Sequence, residues 1–208
     1  MRSGSPAGCS CSTRTGAPSD TPLRLAVPPR SRPPPGSAPT RRRRVASPAV
    51  GEPVSVLILN YNAPVEALKR CVASVEASDY DRLAEIVIAE NGSTRNTDAA
   101  CAVAAEFPRA RVVDLGRNWG FSGGINRGIA ACTSPWVFIL NNDTEVDPHA
   151  ICACAEVLAA QPPGCLGVVP KLLFLDNRHL IDAVGNAIDA WGAAFNVGIG
   201  QLDVGQYD

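Results

Sequence analysis

Beyond Pro53 the chain alternates two patterns. Short apolar runs end abruptly in polar residues, and between them lie longer stretches whose apolar positions recur every three or four residues. The runs at 54–59 (VSVLIL), 85–89, 111–115 and 136–140 are too short for helices and rich in β-branched residues, so they predict strands. The first is a continuous apolar strand, and the last, Trp136 to Leu140, suits a strand buried on both faces. Helices are predicted between them. The first takes Asn62 as N-cap and Pro64 in its first turn, with Val65, Leu68, Val72 and Val75 along one face. A second covers residues 97–106, and a third follows a glycine-rich loop over 123–132. A fourth starts at Asp147-Pro148, with Asp147 capping, and runs through Ile151, Cys154, Val157 and Leu158 to the PPG at 162–164.

Strands alternating with helices at this spacing predict an α/β fold with a parallel sheet and right-handed crossovers. Asn60-Tyr61-Asn62, residues 90–93 (ENGS) and Asn141-Asn142-Asp143 then collect at the carboxyl edge of the sheet, where open α/β sheets bind ligands. Asp143, held by its strand beside two amides, is placed to hold a divalent cation against a diphosphate. A strand ending in an ordinary polar turn is the simpler alternative. Glu90 can accept from the imide N–H of a uracil or thymine ring, or serve only its own turn. Tyr61 offers a face for stacking a base, or a cover for the core edge. In residues 117–128, Gly120, Gly123, Gly124 and Gly128 allow close backbone approach to a ligand and tight packing of the following helix, whose N-terminal N–H groups favour phosphate oxygens. These glycines do not match GxGxxG and follow the third strand, not the first, which excludes a dinucleotide fingerprint. Asn118 and Asn126 are read as side-chain ties to the loop backbone.

Composition divides the 208 residues in two. Residues 1–50 are rich in Pro, Ser, Gly and Arg, and carry nine Arg against a single acid, Asp20, whereas the whole chain has a net charge of −1. This segment predicts a disordered tail, and residues 51–208 the folded domain. The Arg run at 41–44 can attract anionic membrane surfaces or nucleic acid, but no aromatic residue interleaves it, so a solvated tail without specific nucleic-acid recognition is expected. Met1 is the sole Met, and a translation start placed too far upstream would give the same pattern. No apolar run approaches the roughly 20 residues of a membrane span. The apolar patch at 23–27 is broken by Arg24 and stopped by Pro28, so no secretory signal is read and a cytoplasmic location is expected. The eight Cys form no CxxC pair, and neither His149 nor His179 lies at zinc-finger spacing from them. They are read as reduced, small apolar residues.

Four segments, VSVLILNYN at 54–62, ENGS at 90–93, NWGFSGGIN at 118–126 and LNNDTEVDP at 140–148, together resemble family 2 glycosyltransferases of the GT-A nucleotide-sugar fold. Within that family they are similar to the rhamnosyltransferases of bacterial cell-surface polysaccharides. The resemblance covers residues 54–208. It implies a nucleotide-diphosphate sugar donor, dTDP-rhamnose or a UDP-sugar, a glycan or lipid-linked acceptor, Mg²⁺ or Mn²⁺ as cofactor, and peripheral association with the inner face of the plasma membrane. It assigns the base contact to Glu90, where the family more often has Asp, and the metal to Asp143, the last and only acidic member of its triplet. It assigns donor contacts to Leu59, Asn60, Tyr61, Asn91, Asn118, Gly120, Phe121, Gly123, Gly124, Asn126 and Asn142. A sugar nucleotidyltransferase would carry a glycine-rich basic loop after the first strand, which residues 60–64 do not supply.

The stretch from Val168 resembles the segment that crosses beside the donor sugar, with His179, Asp182 and Gly185 near it. An inverting transferase needs a general base for the acceptor hydroxyl. The family's ED-type motif has no counterpart before Asp208, and Asp182, Asp189 and Asp203 are substitutes in principle only. The resemblance therefore implies a donor-binding half whose catalytic base lies beyond Asp208. The alternative is a catalytically incomplete nucleotide-sugar-binding fragment.

Overall fold

The computed structural model describes residues 51–162 and 164–207, and the tail expected over 1–50 lies outside them. The first half alternates β1 (Val54–Asn60), α1 (Val65–Glu76), β2 (Leu83–Glu90), α2 (Ala99–Ala104), β3 (Ala110–Asp114) and α3 (Gly120–Ala131). Then come β4 (Trp136–Asn141), α4 (Ala150–Ala159), β5 (Leu172–Phe174), β6 (Asn177–Ala183), β7 (Asn186–Ile188) and β8 (Ala194–Asn196). The first four strands form one parallel sheet in the order β3-β2-β1-β4, flanked by helices, which is the expected α/β arrangement. β5 pairs with β6 and β7 with β8, in two small antiparallel sheets. No helix among the described residues is long and apolar enough to cross a membrane.

β1 lies inside the sheet, and all seven of its residues are buried because its alternate side chains enter two different cores. Val56 and Ile58 meet Leu68, Val72 and Val75 of α1, Val103 of α2 and Ile151 of α4. Leu57 and Leu59 join Val87, Ala89 and Ile125 of α3 on the other face. Each fully buried Leu or Ile contributes about 1.5–3 kcal/mol. The expectation of burial on both faces fails for β4. It is an edge strand, paired only with β1, and α3 packs over β1 and β2. Trp136, Phe138 and Leu140 face the first core, but Ile139 points to the other side and is 46 % exposed.

Three helix starts differ from the sequence reading. Asn62 does not cap α1; at φ 55° its Oδ1 accepts the Thr94 and Arg95 N–H groups, both at 2.8 Å, tying two loops instead. The third helix begins at Gly120, so Gly120, Gly123 and Gly124 lie in its first turns and not in a preceding loop. It starts there because side-chain oxygens take the N–H groups of Trp119 and Gly120, which have no partner in the helix itself. Asp147 accepts the His149 N–H at 2.9 Å and so holds the turn before α4, which begins only at Ala150. The second helix is shorter than expected at both ends.

At the edge where β1 and β2 begin, a buried carboxylate ties four segments together. Glu85 Oε1 accepts from Ser55 Oγ, Thr133 N and Thr133 Oγ1, each at 2.7 Å, and Oε2 lies 2.8 Å from Arg111 Nε. Burial alone would raise the Glu85 pKa. The hydrogen bonds from Thr133, Arg111 and Ser55 outweigh it and hold the group at about 2.

Candidate functional site

The parallel register places Asn60 beside Glu90, Leu59 beside Asn141, and Glu90 beside Asp114, so the three polar segments do converge at one sheet edge. A chain of hydrogen bonds runs beneath them. Asn60, fully buried, donates from Nδ2 to Glu90 Oε2 at 2.6 Å and accepts at Oδ1 from Asn142 Nδ2 at 3.3 Å. The other Glu90 oxygen accepts the Ser93 N–H at 2.7 Å. Glu90 therefore holds its own turn, the simpler of the two roles read for it. Each carboxylate oxygen keeps a second lone pair for a further donor.

Asn91 sits beside this chain and organises the start of α3. It is buried, its Nδ2 donates to Asn118 Oδ1 at 3.2 Å and to Gly120 O at 3.3 Å, and its Oδ1 accepts the Trp119 N–H at 3.0 Å. Asn118 Oδ1 also accepts the Gly120 N–H at 2.7 Å, so Asn118 ties the loop as expected. Asn126 is exposed on α3 and makes no such tie among the described residues. A Cβ on Gly124 would come within 2.6 Å of Leu59 Cδ1, and one on Gly128 within 2.5 Å of Leu57 Cδ1. These two glycines let α3 press onto β1, whereas Gly123 would meet Trp119 Cβ at 3.2 Å and Gly120 faces open space. Leu59 and Gly124 are thus buried under the site, while Tyr61 and Phe121, 42 % and 63 % exposed, stand free at its rim. Tyr61 does not cover the core. Arg117 and Arg127 stack on the Trp119 ring with guanidinium carbons 3.7 and 3.4 Å from its centroid. This cationic pair was not anticipated, because only the fold of α3 brings the two Arg to one ring.

The acids near this edge differ in their freedom. Glu90 is engaged, Glu145 pairs with Arg70 at 3.2 Å and Arg178 at 2.9 Å, and Asp114 accepts the Gly116 N–H at 2.8 Å. Asp143, exposed in the turn after β4, makes no hydrogen bond or ion pair among the described residues. A single open carboxylate suits a hard divalent cation, which completes its shell with water and phosphate oxygens. Behind it the buried Cys71 thiol donates to the Asn141 carbonyl at 3.4 Å. Burial pushes that thiol up to about 12, so it stays protonated and packs the turn.

The C-terminal candidates for a base are mostly engaged in structure. Asp189 accepts the N–H groups of Trp191 and Ala193, both at 2.9 Å. Asp203 lies 2.9 Å from Lys171, and that hydrogen bond holds its carboxyl below the ordinary range, which weakens it as a base. Asp182 is half-buried on β6, and His179 is exposed on the same strand.

The family model for glycosyl transferase family 2 matches residues 55–180. An uncharacterized glycosyltransferase of Nostoc sp. is 34% identical over 131 residues, covering 62% of this chain and 39% of that protein. The undecaprenyl-phosphate 4-deoxy-4-formamido-L-arabinose transferase of Sodalis glossinidius is 33% identical over 121 residues, 56% of this chain and 36% of its own. The N-acetylglucosaminyl-diphospho-decaprenol L-rhamnosyltransferase of Mycobacterium tuberculosis is 28% identical over 124 residues, 54% of this chain and 39% of its own. Among solved structures, a mannosyltransferase from Pyrobaculum calidifontis in complex with GDP-Man and Mn²⁺ aligns at TM-score 0.48 and 20% identity, over 59% of this chain and 37% of that one. The chain thus spans well under half the length of the curated relatives it matches. Since the family model runs from β1 into β6, over more than half of the chain, the protein belongs to glycosyltransferase family 2.

Proposed function

We propose that residues 51–208 form the donor-binding part of an inverting, metal-dependent glycosyltransferase that moves a sugar from dTDP-rhamnose or a UDP-sugar to a glycan or lipid-linked acceptor of the cell surface. The observation that carries this reading is the convergence of the Asn60, Glu90 and Asn142 side chains on one hydrogen-bonded floor beside the open carboxylate of Asp143. Asp143 would hold Mg²⁺ or Mn²⁺, which neutralises the diphosphate as it leaves. Asn91 and Asn118 take the Trp119 and Gly120 N–H groups, and the remaining N–H groups of the first turn of α3 favour phosphate oxygens. Tyr61 and Phe121 at the rim can stack a base, and Glu90 can accept from its imide.

A catalytically incomplete nucleotide-sugar-binding fragment is the second reading. It is favoured by the engagement of Asp189 and Asp203 in turns and an ion pair, which occupies two of the three C-terminal carboxylates weighed as a base. Titration with UDP and dTDP, with and without Mn²⁺ or Mg²⁺, tests both. Metal-dependent binding is expected, weakened about tenfold or more, roughly 1.4 kcal/mol, by Asp143→Ala. Failure of the metal to strengthen binding would refute the donor site, and binding without sugar transfer would favour the fragment.

A further inference from the structure

Away from the nucleotide edge, a set of metal-ligating side chains is already assembled. Asp79, His149 and Cys152 each present a ligand atom, and these atoms all lie within 4.8 Å of one another. His149 Nδ1 and Asp79 Oδ2 are 2.9 Å apart, and Glu156 Oε1 is 3.7 Å from Cys152 Sγ. We propose that this cluster binds one zinc-class transition-metal ion through Asp79, His149 and Cys152, with water completing its shell.

The helix phase and the loop geometry both support it. His149 immediately precedes α4, and Cys152 and Glu156 follow at three and seven residues, so all three share one helix face. Asp79 arrives from the connection between α1 and β2, which is pinned to the same helix start. Its N–H donates to the Pro148 carbonyl at 3.0 Å, and Ser78 Oγ donates to that oxygen at 3.2 Å. Tyr80 is buried next to it and donates its hydroxyl to Glu52 O at 2.6 Å. The backbone on both sides of the cluster is therefore fixed before an ion arrives. The Asp79 and His149 side chains are half exposed or more, which gives the ion a way in.

The donor atoms decide the metal. Imidazole nitrogen, thiolate sulfur and carboxylate oxygen together suit Zn²⁺, whereas Mg²⁺ and Mn²⁺ prefer oxygen. Tetrahedral Zn²⁺ with bonds of about 2.0–2.3 Å sets its ligands roughly 3.3–3.8 Å apart, a small adjustment from the separations present. Uptake requires the Cys152 thiol proton to leave for water and the His149 Nδ1 to be free of its proton, which an imidazolium releases to water and a neutral ring carries on Nε2 instead. Tyr80 and Glu52 place the cluster by the starts of β1 and β2, at the edge opposite Asp143, so it is independent of the donor site. Its effect would be to staple the start of α4 to the α1–β2 connection.

Cobalt titration of the full, reduced chain tests the assignment. One sulfur-ligated Co²⁺ per chain is expected, with a sulfur-to-cobalt charge-transfer band that Zn²⁺ displaces and that Asp143→Ala, Cys154→Ser and a Cys9→Ser/Cys11→Ser double variant retain. Loss of an outer-shell partner typically weakens metal binding about 10–100-fold, so Cys152→Ser and His149→Ala, which remove direct ligands, should weaken it at least tenfold. Absence of the band from the native chain, or its survival in His149→Ala, would show a plain surface ion pair and overturn the site. Should Cys152→Ser fail to fold by circular dichroism, the exposed His149 variant decides the matter alone.

Discussion

Gly92→Ala should destabilise the domain by about 3–5 kcal/mol, whereas Gly116→Ala should cost only about 1 kcal/mol. Both glycines have positive φ, +71° and +75°, so the left-handed backbone penalises the new side chain equally. Their surroundings differ. A Cβ on Gly92 would lie 2.5 Å from Arg117 C and 2.6 Å from Arg117 Cα and Asn118 N, while Gly116 faces open space. Backbone atoms cannot rotate away as a side-chain tip can, so relief at Gly92 requires moving residues 117 and 118. That movement would pull Asn118 Oδ1 from the Gly120 N–H and from Asn91, and so loosen the start of α3 at the carboxyl edge of the sheet. Urea unfolding of the two variants measures the difference. Equal losses would show that the ENGS turn does not press on the segment before α3.

Gly92 also shows how much of the molecule could be read from the chain. The strand runs, their parallel direction and the three polar loops follow from periodicity, because β1 and β2 bury both faces and are apolar over most of their length, with Ser55 and Glu85 as buried exceptions that bond each other. β4 has the same apolar composition but lies at an edge, and no local signal separates an edge strand from a central one. Asn62 and Asp147 have the sequence signature of helix caps, because a polar residue before an apolar stretch usually caps it. Asn62 instead bonds residues 94 and 95, partners that only the pairing of β1 with β2 brings near. The same limit hid the cluster at α4. His149 and Cys152 are three residues apart, but Asp79 is seventy positions earlier, and it reaches them only because α1 returns the chain to that end of the sheet. Asp143 is legible as a candidate ligand, but that it makes no hydrogen bond or ion pair among the described residues while Glu90 and Glu145 are engaged required the fold.

Glu85→Gln should cost about 3 kcal/mol at pH 7, and most of that difference should vanish between pH 4.5 and pH 2. The folded protein holds Glu85 at about 2, below its ordinary 4.5, so in this range the unfolded chain binds a proton that the folded chain does not. Stability supplied by the carboxylate is therefore full above 4.5, falls as pH drops, and is lost once pH passes below the folded value. The gap of about 2.5 pH units corresponds to about 3 kcal/mol. Glutamine keeps the shape and one acceptor, but its amide N–H₂ would face the Arg111 guanidinium, donor against donor. Glutamine does not titrate, so the native-minus-variant difference isolates the carboxylate. Chemical unfolding of both proteins from pH 7 down to pH 2 measures it. A difference independent of pH would mean that shape and packing, not charge, hold the four segments together. Glu85 lies at the edge where the strands begin, away from Asp143, so folded Glu85→Gln protein should retain its nucleotide affinity. Loss of affinity together with stability would instead show that the two edges of the sheet are coupled through β1 and β2.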